Sequence, residues 1–181
     1  VLTHPEREGS PVALTINFLG PINKQVTELK VKLLRTNRSN QHWSIELSQG
    51  EDMQCSATCV TAKRRESWNS NEMVCPDAPS FESLDDAPVI PAVAPWVKQY
   101  DFRFVNGSPF GKMEGDSEDK PSESLLWIAD KPARKLDFAS LTAIADAFFP
   151  RIVLRRKKMM PFGTVSLTVH FHVTEEELNA V

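Results

Sequence analysis

Residues 164–171 read TVSLTVHF, and residues 11–18 read PVALTINF. Laid over one another, Val12 matches Val165, Leu14 matches Leu167, Thr15 matches Thr168 and Phe18 matches Phe171, with Ile16 and Val169 near equivalents. Each copy alternates apolar and polar residues, the signature of a half-buried strand. The copies stand 153 residues apart. They differ at the first position, where Pro11 carries neither the hydroxyl nor the N–H that Thr164 carries.

Gly20 and Pro21 end the first copy. Residues 26–35, 42–48 and 53–62 then alternate in turn, so the first seventy residues or so form an antiparallel meander. Between 76 and 95 the chain reads CPDAPSFESLDDAPVIPAVAP, with Pro76, Pro79, Pro88, Pro91 and Pro95 among Asp, Ser and Glu. That composition predicts a semi-extended linker. Residues 97–105 follow as a strand with Tyr100, Phe102 and Phe104 on one face, then a loop over 106–121 and a short apolar strand over 124–129. KLDFASLTAIADAFFP carries an N-cap at Asp137 and a stop at Pro150, which bound a helix of about a dozen residues. Phe138, Leu141, Ile144, Ala145, Phe148 and Phe149 spread over most of its circumference, so a buried helix is expected.

The second half thus runs strand, strand, buried helix, strand, and the first half begins with the strand that belongs after such a helix. The offset between copies places the first copy's helix before residue 1 and the second copies of three strands beyond Val181. The expectation is a tandem repeat cut inside both copies: a first repeat over 1–75, a linker over 76–95 and a second repeat over 96–181.

Composition narrows the function. The chain is 41% hydrophobic and 25% charged, as for an ordinary globular protein, and its formal charge of −3 argues against a dedicated nucleic-acid binder. No apolar run reaches the ~20 residues that span a bilayer. Cys55, Cys59 and Cys75 form no CxxC pair, and the first two share a strand face as small buried hydrophobes, which fits a reducing, cytoplasmic compartment. His42, His170 and His172 show no ligand spacing with a carboxylate, so neither a metal nor another cofactor is assigned. The run Glu175–Glu177 reads as a solvated turn.

Two stretches, WIADKPARKLDFASLTAIADAFFP and PFGTVSLTVHF, resemble the acyl-CoA thioesterase II family and the thioesterase-like proteins grouped with it. PVALTINFLGP looks like the corresponding strand of that family's first half. The resemblance implies an α+β fold, a tandem (double) hotdog in which antiparallel sheets each wrap round a central helix. The two sheets would lie side by side as a pseudo-dimer. It implies a hydrolase of fatty acid metabolism that converts acyl-CoA to free acid and coenzyme A. In that family an aspartate on the helix, a threonine and a glutamine hold a water against the thioester carbonyl. Asp146 looks like the aspartate and Thr164 like the threonine, while the glutamine comes from a late strand that this chain does not reach.

The residues themselves make chemical sense of these roles. A carboxylate on an apolar helix is desolvated and gains basicity, and a threonine hydroxyl holds water as donor or acceptor. An aspartate near a helix end is equally readable as solvated, and Thr164 shares the polar strand face of Ser166, Thr168 and His170. Leu141, Phe148 and Phe149 are candidates to line an acyl tunnel. Arg155 and Arg156, in the basic run Arg151–Lys158, are candidates for the coenzyme A phosphates, against the plainer reading of a solvated charged loop. Hotdog hydratases place a histidine five residues after their aspartate, where this chain has Arg151. The alternative function is a non-catalytic acyl-CoA-binding or assembly module. The uncovered strand edges and polar strand face point to a homodimer.

Overall fold

A computed structural model describes residues 1–87, 95–109, 122–156, 158 and 160–180. The N-terminal alternation becomes β1 (Ser10–Phe18), β2 (Glu28–Thr36), β3 (Asn40–Gln49) and β4 (Asp52–Ala62). Then come β5 (Tyr100–Asn106), β6 (Leu125–Asp130), α1 (Phe138–Ala145), α2 (Arg151–Arg156), β7 (Ser166–His170) and α3 (Glu175–Asn179). By contacts the chain divides into two units. One comprises Val1–Trp68, Leu136–Thr142 and Gly163–Val181, the other Asn69–Lys135 and Ala143–Phe162.

The first unit is built on a five-stranded sheet in the order β2-β3-β4-β1-β7, antiparallel throughout. Its duplicated strands pair with each other. Thr15 lies opposite its own counterpart Thr168, with Leu14 opposite Val169 and Ile16 opposite Leu167, so the pair is centred on a local twofold. Backbone bonds beyond the ladder obey the same relation. The Phe18 N–H donates to the Val165 carbonyl at 2.9 Å, and its counterpart Phe171 donates to the Val12 carbonyl at 3.0 Å. At the centre the two threonine hydroxyls share a hydrogen bond of 3.1 Å, one of the cross-strand pairs that stabilise a sheet.

The register sorts the two faces. Ser44, Thr58, Thr15 and Thr168 are successive cross-strand partners on the polar face. One residue over, Leu33, Trp43, Cys59, Leu14 and Val169 form a row on the apolar face. Against that face pack Phe138 from the first turn of α1, Phe171 and Leu178, with Leu136, Leu141 and Val173 around them. The Phe138 and Phe171 rings meet edge-on at 5.1 Å. Asp137 caps α1 as its sequence predicts, its Oδ1 accepting the Ser140 N–H at 2.7 Å. Cys59 is buried and Cys55 half-buried, and burial raises both thiols above their ordinary range.

Trp43 has no exposed surface, and its indole N–H donates to the Thr61 hydroxyl at 3.3 Å. That hydroxyl donates to Gln41 Oε1 at 3.3 Å. Gln41 in turn holds the N-terminal segment, accepting the Glu8 N–H at 2.7 Å and donating to the Glu6 carbonyl at 2.9 Å. Replacing Thr61 with valine keeps the shape and strands the buried indole donor, while the Gln41 oxygen keeps its bond from the Glu8 N–H. It should cost ~1–3 kcal/mol by urea denaturation, the penalty of an unsatisfied buried group; an unchanged midpoint would show that this relay contributes nothing.

The acidic run after β7 differs from its expectation. Instead of a solvated turn it opens α3, through a reciprocal cap. The Glu177 N–H donates to the Thr174 hydroxyl at 3.2 Å, and the Thr174 N–H donates to the Glu177 carboxylate at 2.6 Å. Those bonds, the backbone one first, hold Glu177 below the usual glutamate range. A depressed folded-state value gives stability that is present above the unfolded value and lost as pH falls through the folded one. The protection factor of the Leu178 amide, its exchange rate relative to the unstructured rate at the same pH, should therefore fall on acidification in the wild type and lose that dependence in Glu177→Gln.

The second unit carries the two-stranded sheet β5–β6. Phe102, Ala147, Phe149, Val153 and Leu154 are buried in it. Residues 97–99 belong to a 3-10 turn, Pro95–Gln99, rather than to the expected strand, which begins at Tyr100. Part of the expected linker is fastened down. Trp127 Nε1 donates to the Pro79 carbonyl at 2.9 Å, and the Ala87 N–H donates to the Phe102 carbonyl at 2.9 Å. Arg103 donates to the Leu84 carbonyl at 2.9 Å, pairs with Asp86 at 2.9 Å and stacks on Phe81. Pro88 and Pro91 of that linker, and most of the loop expected over 106–121, lie outside the described residues. Among the described residues no helix is long and apolar enough to cross a membrane.

Candidate active site

The expected long helix is two shorter ones, and this decides the setting of Asp146. Helix α1 ends at Ala145, so Asp146 occupies the turn that follows, its N–H donating to the Ala143 carbonyl at 3.2 Å. There it is exposed, which corrects the expectation of a carboxylate desolvated by an apolar helix. The following residues alternate: Ala147 and Phe149 turn inward, while Phe148 is 50% exposed. Thr164 is exposed in the first unit, two residues before β7. Asp146 belongs to the second unit.

Of the apolar candidates, Leu141 packs on the Phe138–Phe171–Leu178 cluster of the first unit. Phe148 and Phe149 line a shallow cleft of the second unit with Phe102, Phe104, Leu126 and Leu154, with a volume of about 10 Å³, room for about one water. The basic run is helical, not a loop, over its described first part. Val153 and Leu154 anchor α2 while Arg155 and Arg156 lie exposed on its last turn; Lys157 lies outside the described residues. Arg151 is engaged with the protein itself, donating to Ser124 Oγ at 2.6 Å, the Ser122 carbonyl at 3.1 Å and the Phe149 carbonyl at 2.9 Å.

A group that sequence reading missed lies on the same unit. The β5–β6 register sets Tyr100 directly opposite Asp130, whose Oδ2 accepts from Arg134 Nε at 3.0 Å. Tyr100 joins an aromatic wall in which Trp96 touches Tyr100 at 6.2 Å, Phe102 at 6.4 Å and Phe149 at 5.9 Å. Burial lifts the Tyr100 phenol above its ordinary range. The Asp130 carboxylate lifts it further, Arg134 lowers it, and the Asp146 carboxylate lifts it again. The phenol therefore stays protonated well into alkaline pH, and it feels the charge of Asp146. Among the described residues no cluster of three or more His, Cys, Asp or Glu side chains is placed to hold a metal ion.

An antiparallel sheet laid against a helix that leads into one of its own strands is the hotdog arrangement, and this α+β chain has it. The chain belongs to the acyl-CoA thioesterase family: its residues 1–63 match the acyl-CoA thioesterase N-terminal domain and residues 74–180 match the acyl-CoA thioesterase C-terminal domain. The two matches make it a tandem of hotdog domains. A conserved hotdog-fold protein of unknown function from Alicyclobacillus acidocaldarius is similar over 99% of this chain, with 36% identity and a TM-score of 0.89. A tesB protein from Mycobacterium avium subspecies paratuberculosis shares the fold over 92% of the chain, with 16% identity and a TM-score of 0.66. The chain spans 65% of the first of these proteins and 62% of the second. No curated protein sequence matches it.

Proposed function

We propose that the protein hydrolyses an acyl-CoA, with water as nucleophile. In this reading Asp146 takes a proton from water while the water oxygen bonds to the thioester carbonyl carbon. The carbon–sulfur bond then breaks, and the proton passes to the departing coenzyme A thiolate, leaving the free acid. Thr164 holds the water through its hydroxyl. The observation that carries the reading is the match of both parts of the chain to acyl-CoA thioesterase domains. The exposure of Asp146 supports a base that meets a solvent-derived nucleophile. The half-exposed Phe148 ring beside Phe149 offers an apolar surface for an acyl chain, and Arg155 and Arg156 supply positive charge for the coenzyme A phosphates. Strands β2 and β7, at the two edges of the sheet, support assembly as a homodimer.

Release of free thiol from a panel of acyl-CoAs of graded chain length, measured on the full-length protein, tests the reading. Saturable release is expected. Pro11, in the register of Thr164, favours the second reading for the first repeat, a half that keeps the fold without chemistry. Saturable acyl-CoA binding with no thiol release would assign that non-catalytic role to the whole protein.

A further inference from the structure

We propose that the outer edge of β5 is a self-pairing surface for a second copy of this chain, and that segment Pro79–Ala87 is a strap that holds this edge closed. Neither part depends on hydrolysis at Asp146.

The strap is fastened at several points, all within the second unit. Arg103 and Trp127 are cross-strand partners, so they share the face of the β5–β6 sheet opposite the one that buries Phe102. Trp127 Nε1 donates to the Pro79 carbonyl at 2.9 Å. The Arg103 guanidinium lies 4.1 Å from the centre of the Phe81 ring and pairs with Asp86 at 2.9 Å. It also donates to the Phe81 carbonyl at 3.2 Å and the Leu84 carbonyl at 2.9 Å. The strap ends on β5 itself, where the Ala87 N–H donates to the Phe102 carbonyl at 2.9 Å, a bond of the kind a third strand would make. The 3-10 turn Phe81–Ser83 and the acids Glu82, Asp85 and Asp86 prevent a regular ladder, so the strap covers the edge without offering a new one.

What it covers is complementary to itself. Antiparallel pairing of two β5 strands centred on Phe102 sets Tyr100 against Phe104 of the partner subunit and Asp101 against Arg103 of the partner subunit, each contact made twice by the twofold. Opposite charges and aromatic pairs directly across a ladder stabilise it. Asp101 and Arg103 already meet within one strand, carboxylate oxygen to guanidinium nitrogen at 3.1 Å. Arg103 is the pivot: it binds Asp86 with the strap closed and Asp101 of the partner subunit with the strap open.

The double variant Phe81→Ser/Asp86→Ala of the full-length protein loosens the strap and leaves β5 unaltered. Exchange of the Ala87 amide, read by mass spectrometry of peptides spanning 79–87, should rise about tenfold. Sedimentation should show the wild-type particle doubling in mass as concentration rises. Adding Asp101→Lys sets like charges across the pair and should restore the wild-type mass while exchange stays fast. Trp127→Phe, which removes the bond to Pro79, is a milder release and should move both readouts the same way. Unchanged exchange in both release variants would show that these contacts do not hold the strap. Fast exchange without added mass would show that the edge does not self-pair, and doubling that survives Asp101→Lys would place the contact elsewhere. Each of these results overturns the proposal.

Discussion

Asp146→Asn is expected to lower kcat/KM for acyl-CoA hydrolysis by ~10²–10⁴-fold, the range over which a positioned general base accelerates proton transfer. The carboxamide matches the carboxylate in size and in hydrogen-bonding reach but cannot accept the proton. Because the side chain is exposed in a turn, the substitution should leave the folded state intact. Circular dichroism and thermal unfolding that match wild type would establish this. Loss of rate should therefore appear in kcat, with acyl-CoA affinity retained, since a base that acts on water contributes little to ground-state binding. Equal rates for the two proteins would strip Asp146 of its role. A loss in Thr164→Val alone, with no further loss when it is added to Asp146→Asn, would place both residues in one catalytic unit.

Trp43→Ala is expected to destabilise the protein by ~3–5 kcal/mol, as for a fully buried aromatic cut to a methyl group. Its ring fills the centre of the apolar row between Leu33 and Cys59 and meets His4 edge-on at 4.9 Å. Truncation opens a cavity and also leaves the Thr61–Gln41 relay without its donor, so two penalties add at one site. The midpoint of urea unfolding, followed by far-ultraviolet signal, measures the loss. Trp43→Phe separates the terms, since it fills most of the volume and lacks the N–H. A phenylalanine variant as unstable as the alanine one would show that the hydrogen bond, not the packing, dominates.

Strand positions were legible because alternation is a local signal. Val12, Leu14 and Ile16 or Val165, Leu167 and Val169 declare a half-buried strand whatever surrounds them. The family resemblance implied two sheets side by side, but only the register shows Thr15 meeting Thr168. Helix α1 was visible from its cap at Asp137. Its end was not, because Ile144, Ala145, Phe148 and Phe149 continue an apolar pattern that suits a helix and an extended segment equally. Asp146 consequently stands in an exposed turn and not on the apolar helix expected for it. Helix α3 carried a signal that was readable, Thr174 three residues before Glu177, which the density of acidic side chains obscured. Tyr100 carried none. Its setting depends on Asp130, a cross-strand partner 30 positions away, and pattern within a single segment has no access to such a pairing.

The self-matching strand pair has a consequence for how the chain is made. Strands β1 to β4 are complete within the first 62 residues and can zip together early through short loops. The outer rim of β1 must wait for a partner 153 residues downstream. During synthesis, at roughly 5–20 residues per second, that rim stays bare for many seconds, and its best-fitting complement is a near-copy of itself. Two ribosome-bound chains close together therefore offer each other a decoy, and slow production or nearby chaperones should decide how much of the protein escapes entanglement.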